Sequence, residues 1–383
     1  MNSIKSRPEL GCYYFPNYHL DQRNAVIHGQ GWTEWELVKQ SLSRFPGHRQ
    51  PVIPAWGYTD EADPEVMSQK ISAAADHCID YFIFDWYYYD DGPFLQRALE
   101  EGFMRAGNNH RIKFCCMWAN HDWLDIHPAR PDMRPKLLYP GTVKPKTFDK
   151  ICHLVIDKYF KHPSYYCING APYFSIYNLN CLLQSFGSVA ETRKALDHFR
   201  SMTRNAGFSD LHLNAVVWGR PILPNERTVA DLPQLVQALG FDSATSYVWI
   251  HHARLDLTPS VPYFRAMEDY FLHWDNMLKN FSIPYFPNLT VGWDPSPRTE
   301  QSLAWNPLGG YPYSSILSDN TPENFKRAMN MILQRLRKTD IFQTININCW
   351  NEWTEGSYLE PDSFHQMAYL EAIKDTISSI DKA

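Results

Sequence analysis

Two glutamates three residues apart, Glu352 and Glu355, stand among tryptophans in the segment 345–361, ININCWNEWTEGSYLEP. Paired carboxyls of this kind carry acid, base and nucleophile roles at a glycosidic bond. If residues 352–355 form one helical turn, the i, i+3 spacing puts both side chains on one face with Cβ atoms roughly 5–6 Å apart. The two carboxyl groups of a retaining glycosidase are separated by about 5–5.5 Å. A continued strand would instead turn the two side chains to opposite faces. A bare ExxE is more often a pair of solvated glutamates or a helix-capping carboxylate, but the interleaved Trp350, Asn351 and Trp353 favour a cleft. The chemistry needs one carboxyl protonated and the other ionised. Packing against Trp350 or Trp353 raises a glutamate's pKa by desolvation, and the charge of its partner raises it further. Spacing alone leaves open which glutamate is the acid.

The elements that must position this pair follow from periodicity. Alternation through Thr344–Trp350 predicts a strand, and Gly356 permits the tight turn after it. Further strands are predicted at 10–15, 80–86, 112–118, 172–176, 212–218, 241–247 and 285–291, with the last at 343–350. Helices are predicted at 64–78, 94–106, 147–160, 187–205, 229–238, 263–280, 322–338 and 364–380. Strands alternating with amphipathic stretches describe an α/β fold, and eight of each describe a single (β/α)8 TIM barrel over residues 1–383. Long inserts at 16–62 and 119–146, rich in Pro, Gly and His, are expected as irregular βα loops on the C-terminal face, where a barrel builds its site.

Strand ends carry residues suited to sugars. The candidates for substrate binding are Tyr14, Asp85 and Trp86, Trp118 with His121 and Asp122, Trp218, Tyr247, Trp293 with Asp294, and Trp350. Aromatic faces stack on sugar rings while Tyr and Trp tips hydrogen-bond. Asp85, after four apolar residues, reads equally well as a buried structural acid. His121 and Asp122 have no third partner at ligand spacing, so neither a metal nor another cofactor is expected. His251 and His252 are placed at the rim. The run Gly31–Trp35 reads as a capped helix start, with Thr33 as N-cap and Glu36 as N3, at least as well as a direct role for Glu34.

Composition narrows the class. Hydrophobic residues make up 44% and aromatics 15%, with 13 Trp and 22 Tyr, which suits a large core and an aromatic-lined cleft. The net charge of −6 with dispersed basic residues points away from nucleic acid and anionic membranes as partners. The eight cysteines lack zinc-site spacing and are expected as buried thiols, leaning toward a reducing compartment. The start MNSIKSRPELG has no apolar leader core and no run of about 18 apolar residues occurs, so a soluble protein is expected, cytoplasmic in preference to periplasmic with a leader removed. No GxSxG, P-loop or GxGxxG follows a strand, which disfavours serine hydrolase and nucleotide chemistry. Oligomeric state is not legible.

The segments YYFPNYH (13–19), GWTEWELV (31–38), GYTDEADPEVM (57–67), CMWANHDW (116–123), GWDPSPR (292–298) and NCWNEWTEGSYLEPD (348–362) together resemble the WbsX family, whose domain is similar to glycoside hydrolase family 99. The run Asn120–Trp123 departs from the Asn-Glu-Asn-Trp expected in many relatives. The resemblance implies a (β/α)8 barrel acting on glycans and a retaining hydrolysis of an α-linked sugar through a 1,2-anhydro intermediate. It assigns Glu352 as the base that takes the 2-OH proton and Glu355 as the acid on the leaving oxygen. Two other readings stay open: a glycosyltransferase of polysaccharide synthesis, for which Asp90 and Asp91 are a poor diphosphate motif, and a carbohydrate-binding barrel without catalysis.

Overall fold

A computed structural model of the chain describes residues 7–337 and 344–380. Its centre is a parallel barrel: β1 (Glu9–Tyr14), β2 (Tyr81–Tyr89), β3 (Lys113–Trp118), β4 (Ala171–Ile176), β5 (His212–Val216), β6 (Ser243–Thr245), β7 in two pieces (Tyr285–Phe286 and Asn288–Thr290) and β8 (Thr344–Asn348). Neighbours pair in chain order, and β1 pairs with β8 through Glu9↔Thr344 to Cys12↔Ile347. The nine segments close nearly completely. The first piece of β7 pairs with β6 and the second with β8, the break falling at Pro287, which has no N–H to give a ladder.

The pleat decides which side chains can reach a substrate. Tyr81 points inward, its hydroxyl bonded to Thr344 Oγ1 (2.8 Å) and Asn346 Oδ1 (3.0 Å). A Cβ on Gly11 would lie 2.4 Å from the Tyr81 ring, so this close crossing needs glycine. Tyr14 points the other way, with its ring 4.7 Å from Phe84 and its hydroxyl given to Glu61. Outside the strands lies a layer of helices including Pro64–Asp76, Val189–Asn205, Tyr263–Asn280, Pro322–Leu336 and Ala368–Ile380. Their apolar stripes, such as Phe325, Met329 and Ile332, are fully buried against the barrel.

Some sequence expectations are refined. The helix expected at 94–106 is a wider π-form turn, Ala98–Phe103, and that at 147–160 changes from α to π form after Leu154. The insert 16–62 holds two short helices, Gln22–His28 and Trp35–Gln40, and the second insert holds paired strands Trp123–Leu124 and Leu137–Tyr139, so neither is wholly irregular. Residue 343 of the expected last strand and residue 338 of the preceding helix lie outside the described residues. The eight cysteines are free; Cys12, Cys115, Cys116, Cys152 and Cys349 are buried and Cys167 is exposed. Among the described residues no helix is long and apolar enough to cross a membrane.

Candidate active site

Past β8 the chain makes a tight hairpin. Asn351–Glu352 pairs with Ser357–Tyr358, Trp353–Glu355 forms a 3₁₀ turn, and Gly356 closes it at φ 62°. Residues i and i+3 eclipse in such a turn. Glu352 and Glu355 therefore emerge on one side, where one guanidinium, that of Arg298, reaches both. The hairpin is pressed on the loop after β7: a Cβ on Gly356 would meet Asp294 Cβ at 2.7 Å, and the Asp294 N–H donates to the Glu355 carbonyl at 2.5 Å.

That neighbouring loop delivers a cation. Arg298, at the end of the 3₁₀ turn Ser296–Arg298, is 4% exposed and lies 5.2 Å over the Phe15 ring. Its guanidinium reaches Glu34 Oε1 (2.8 Å), Glu352 Oε1 (3.3 Å), Glu355 and Tyr311. Tyr311 also donates to Glu355 Oε1 at 2.6 Å. Thr354, between the two glutamates, donates to Glu34, which also accepts from Asn17 Nδ2 at 2.5 Å. Glu34 is buried, which pushes its pKa up, but Arg298, His127 and Thr354 outweigh burial and hold it below the usual range. Burial pushes Glu352 well up, with the neighbouring Glu355 adding to it and Arg298 opposing. Glu355 is raised by burial against the pull of Arg298 and Tyr311. One guanidinium faces three carboxyls, so its charge offsets the burial of Glu34 but only in part that of Glu352 and Glu355.

Arg298, Tyr311, Glu352 and Glu355 line a cavity at the C-terminal end of the barrel. Of the residues singled out from sequence, Asp85, His121, Asp122, Tyr247, Trp293, Glu352 and Glu355 line it. The Tyr247 hydroxyl lies 2.9 Å from Asp85 Oδ2 and 2.9 Å from Glu352 Oε2. Burial pushes Asp85 well above the usual carboxylate range, with the Tyr247 hydrogen bond opposing. His121 turns its Nδ1 to the Asp122 carbonyl, and Asp122 accepts from Gly141 N–H and Asn225, so the two do not converge as a metal pair. Burial keeps His121 below the usual histidine pKa and takes His127 to about 3.

The other candidates stand elsewhere. Tyr14 faces the outer layer, as does Trp86, whose indole donates to Tyr159. Trp118 packs on Phe148 and donates to the Tyr88 carbonyl. Trp350 donates to Glu360 behind the hairpin. Asp294 accepts from Gln50, lies 2.9 Å from His48 Nε2 and holds its own loop. Trp218 lies one layer back, 5.2 Å from His251 and 4.9 Å from Tyr177, both cavity residues. In each strand case the period-2 pleat put the bulky neighbour of a cavity residue on the opposite face. The capped helix start is also corrected: the helix begins at Trp35, Glu34 occupies the N-cap position without a capping bond, and its side chain serves Arg298.

Arg298 was the main omission, while Glu34, weighed against a helix cap, lies fully buried against it; Phe15, Tyr87, Trp123, Tyr177 and Tyr311 are also in the cavity wall. Both charged residues sit in the runs GWDPSPR and GWTEWELV, but 264 residues separate them. Isolated charges in glycine-tryptophan loops were the available signal.

With this geometry in hand, a sequence profile described as Glycosyltransferase WbsX matches residues 10–373. The chain belongs to the WbsX family. Two strains of Xanthomonas campestris pv. campestris have an uncharacterized protein WxcX, 24% identical over 383 residues and 25% over 386, each covering 96% of this chain. The chain spans about half the length of these curated relatives, 49% in each case. Among solved structures, a GH99 endo-α-mannosidase from Bacteroides thetaiotaomicron matches with a TM-score of 0.58 at 14% identity, covering 99% of this chain and 98% of that one. A glycoside hydrolase-like protein matches with a TM-score of 0.59 at 15% identity, covering 98% and 95%. At these identities the likeness establishes the barrel and its GH99-like architecture.

Proposed function

We propose that this WbsX domain is a retaining glycoside hydrolase acting on an α-linked glycan, with Glu352 and Glu355 as its catalytic residues. The observation that carries the reading is the pair of carboxyls at the two ends of one tight turn, buried at 4% and 6% exposure at an aromatic-lined cavity and tied to one arginine. In the mechanism that fits this arrangement, Glu352 removes the proton from the sugar 2-OH and that oxygen attacks C1. Glu355 gives its proton to the departing oxygen as the C1–O bond breaks. Water then opens the 1,2-anhydro sugar: Glu355 takes the water's proton and Glu352 returns its own to O2. Trp123, His121 and Tyr177 are placed to contact sugar hydroxyls and ring faces.

A glycosyltransferase reading is favoured by the family's description alone. Asp90 and Asp91, its sequence-level support, bond Lys144 and Arg23 at the rim and are not in the cavity wall. The discriminating experiment is product analysis by NMR after incubating wild type and Glu355→Gln with a panel of α-linked bacterial, plant and yeast mannan glycans. Anomer-retaining release by wild type alone supports hydrolysis. Absence of release, with transfer from a nucleotide-sugar donor, would replace the reading.

A further inference from the structure

The Tyr247 hydroxyl makes two contacts of 2.9 Å, to Asp85 Oδ2 and to Glu352 Oε2. Both have the length of O–H···O bonds. A phenol owns one hydrogen and an ionised carboxylate owns none. Two such bonds require a second hydrogen, which one of the carboxyl groups must supply. We propose that Asp85 holds that hydrogen in the resting site, donates it to Tyr247, and so turns the Tyr247 hydrogen onto an ionised Glu352.

The choice of Asp85 over Glu352 rests on their surroundings. Glu352 has Arg298 Nη2 at 3.3 Å, which favours its charged form. No cation touches Asp85: it is 2% exposed at the end of β2, and its Oδ1 has no hydrogen-bond partner. The titratable groups facing it are Cys12 and Tyr13 from β1, Tyr87 on its own strand, Tyr247 after β6, and Cys349, Glu352 and Glu355 after β8. None of these is a cation, so a charge on Asp85 would be repelled by the glutamates and solvated by Tyr247 alone. Burial pushes both Asp85 and Glu352 well up, so the choice between them rests on the arginine that only Glu352 has.

This deepens the proposed hydrolase reading and rests on it for its purpose. Glu352 can serve as a base only when it is ionised, although it is buried beside Glu355. A neutral acid that donates through Tyr247 supplies a relayed hydrogen bond to that charge without adding another anion. Asp85 is then a positioning residue acting through Tyr247, and an amide can imitate it: in the Asp85→Asn variant the side-chain NH₂ would donate to Tyr247 as the carboxylic acid does.

The test has two arms. The first is infrared difference spectroscopy of the ligand-free protein at neutral pH, wild type against Asp85→Asn and against Glu352→Gln. A protonated-carboxyl C=O band lost in Asp85→Asn and kept in Glu352→Gln is the expected result; its loss in Glu352→Gln with retention in Asp85→Asn overturns the proposal. This arm needs no turnover, so it stands even if the hydrolase reading fails. The second arm uses a glycan released by the wild type: Asp85→Asn should keep about a tenth or more of turnover while Asp85→Leu loses about a hundredfold or more. Equal loss in both variants would show that Asp85 works as an anion and would overturn it.

Discussion

The chain buries two clusters in which one cation meets carboxylates, and both hang on the same hairpin. Behind it, Lys70 contacts Glu61 (3.0 Å), Glu360 (2.7 Å) and the Tyr14 hydroxyl (3.1 Å). In front, Arg298 contacts Glu34, Glu352 and Glu355. The residues 350–355 divide between them: Trp350 and Trp353 donate to Glu360 and Asn351 to Glu61, whereas Thr354 donates to Glu34 and the two glutamates meet Arg298. The rear cluster is closed, its members sealed from the cavity and their oxygens taken up by indole, amide and phenol donors. The front cluster opens on the cavity and is short of positive charge. The same kind of ion pair is enclosed in one case and exposed to the cavity in the other, where the proposed function puts its chemistry.

Deleting each cation tests this contrast most severely. Lys70→Met should destabilise by about 3–5 kcal/mol in chemical denaturation, since Glu61 and Glu360 are left buried without their cation. Arg298→Met should cost less, because Glu352 and Glu355 can take up protons from the open cavity, while turnover is lost. An equal cost for the two variants would mean that both clusters are structural.

Next in size is Glu355→Gln, which should lower turnover by about a hundredfold or more while the thermal midpoint stays nearly unchanged. An unfolded variant would move Glu355 into the scaffold class. Trp353→Phe should keep the ring stacked 4.0 Å from Tyr358 but leave Glu360 Oε2 without its indole donor, costing about 1.5–3 kcal/mol without altering the pH profile of turnover.

The smallest effect is on the pH dependence of stability. Asp85, Glu352 and Glu355 have raised pKa values in the folded chain, so they bind protons more tightly folded than unfolded. Their contribution is complete below the unfolded carboxyl pKa of about 4 and is lost as pH rises through the folded values. Glu352→Gln should flatten that decline and, by roughly 1–2 kcal/mol, stabilise the protein at neutral pH, read from denaturation midpoints across pH. A decline as steep as wild type would mean that the ionised Glu352 is not what costs stability as pH rises.

Much of this was legible from residue order. Alternation located the eight strands, and the glutamate pair with its turn glycine was visible because all its parts are local. The tryptophans beside it were misread as cleft walls: their spacing was seen, but the direction in which each indole points depends on Glu360 folding back under the hairpin. Arg298 and Glu34 belong together only through the barrel's closure, and no local pattern reports a contact across 264 residues. Asp85 stood equally between a buried acid and a sugar ligand, and its place at the cavity wall joins the two descriptions.

The interrupted seventh strand has a consequence for how the barrel is held shut. Where Pro287 breaks the ladder, side chains take over: Asn288 Nδ2 donates to the Tyr247 carbonyl (2.6 Å) and the Asn346 carbonyl (3.1 Å), and the Trp249 indole donates to the Asn288 carbonyl (2.9 Å). One asparagine thus stitches the strand to both neighbours, one stitch landing on the backbone of the residue whose hydroxyl joins Asp85 to Glu352. The seam of the barrel and the hydrogen bonds that join Asp85 to Glu352 thus share a residue, so the placement of the Tyr247 hydroxyl depends on how the barrel closes.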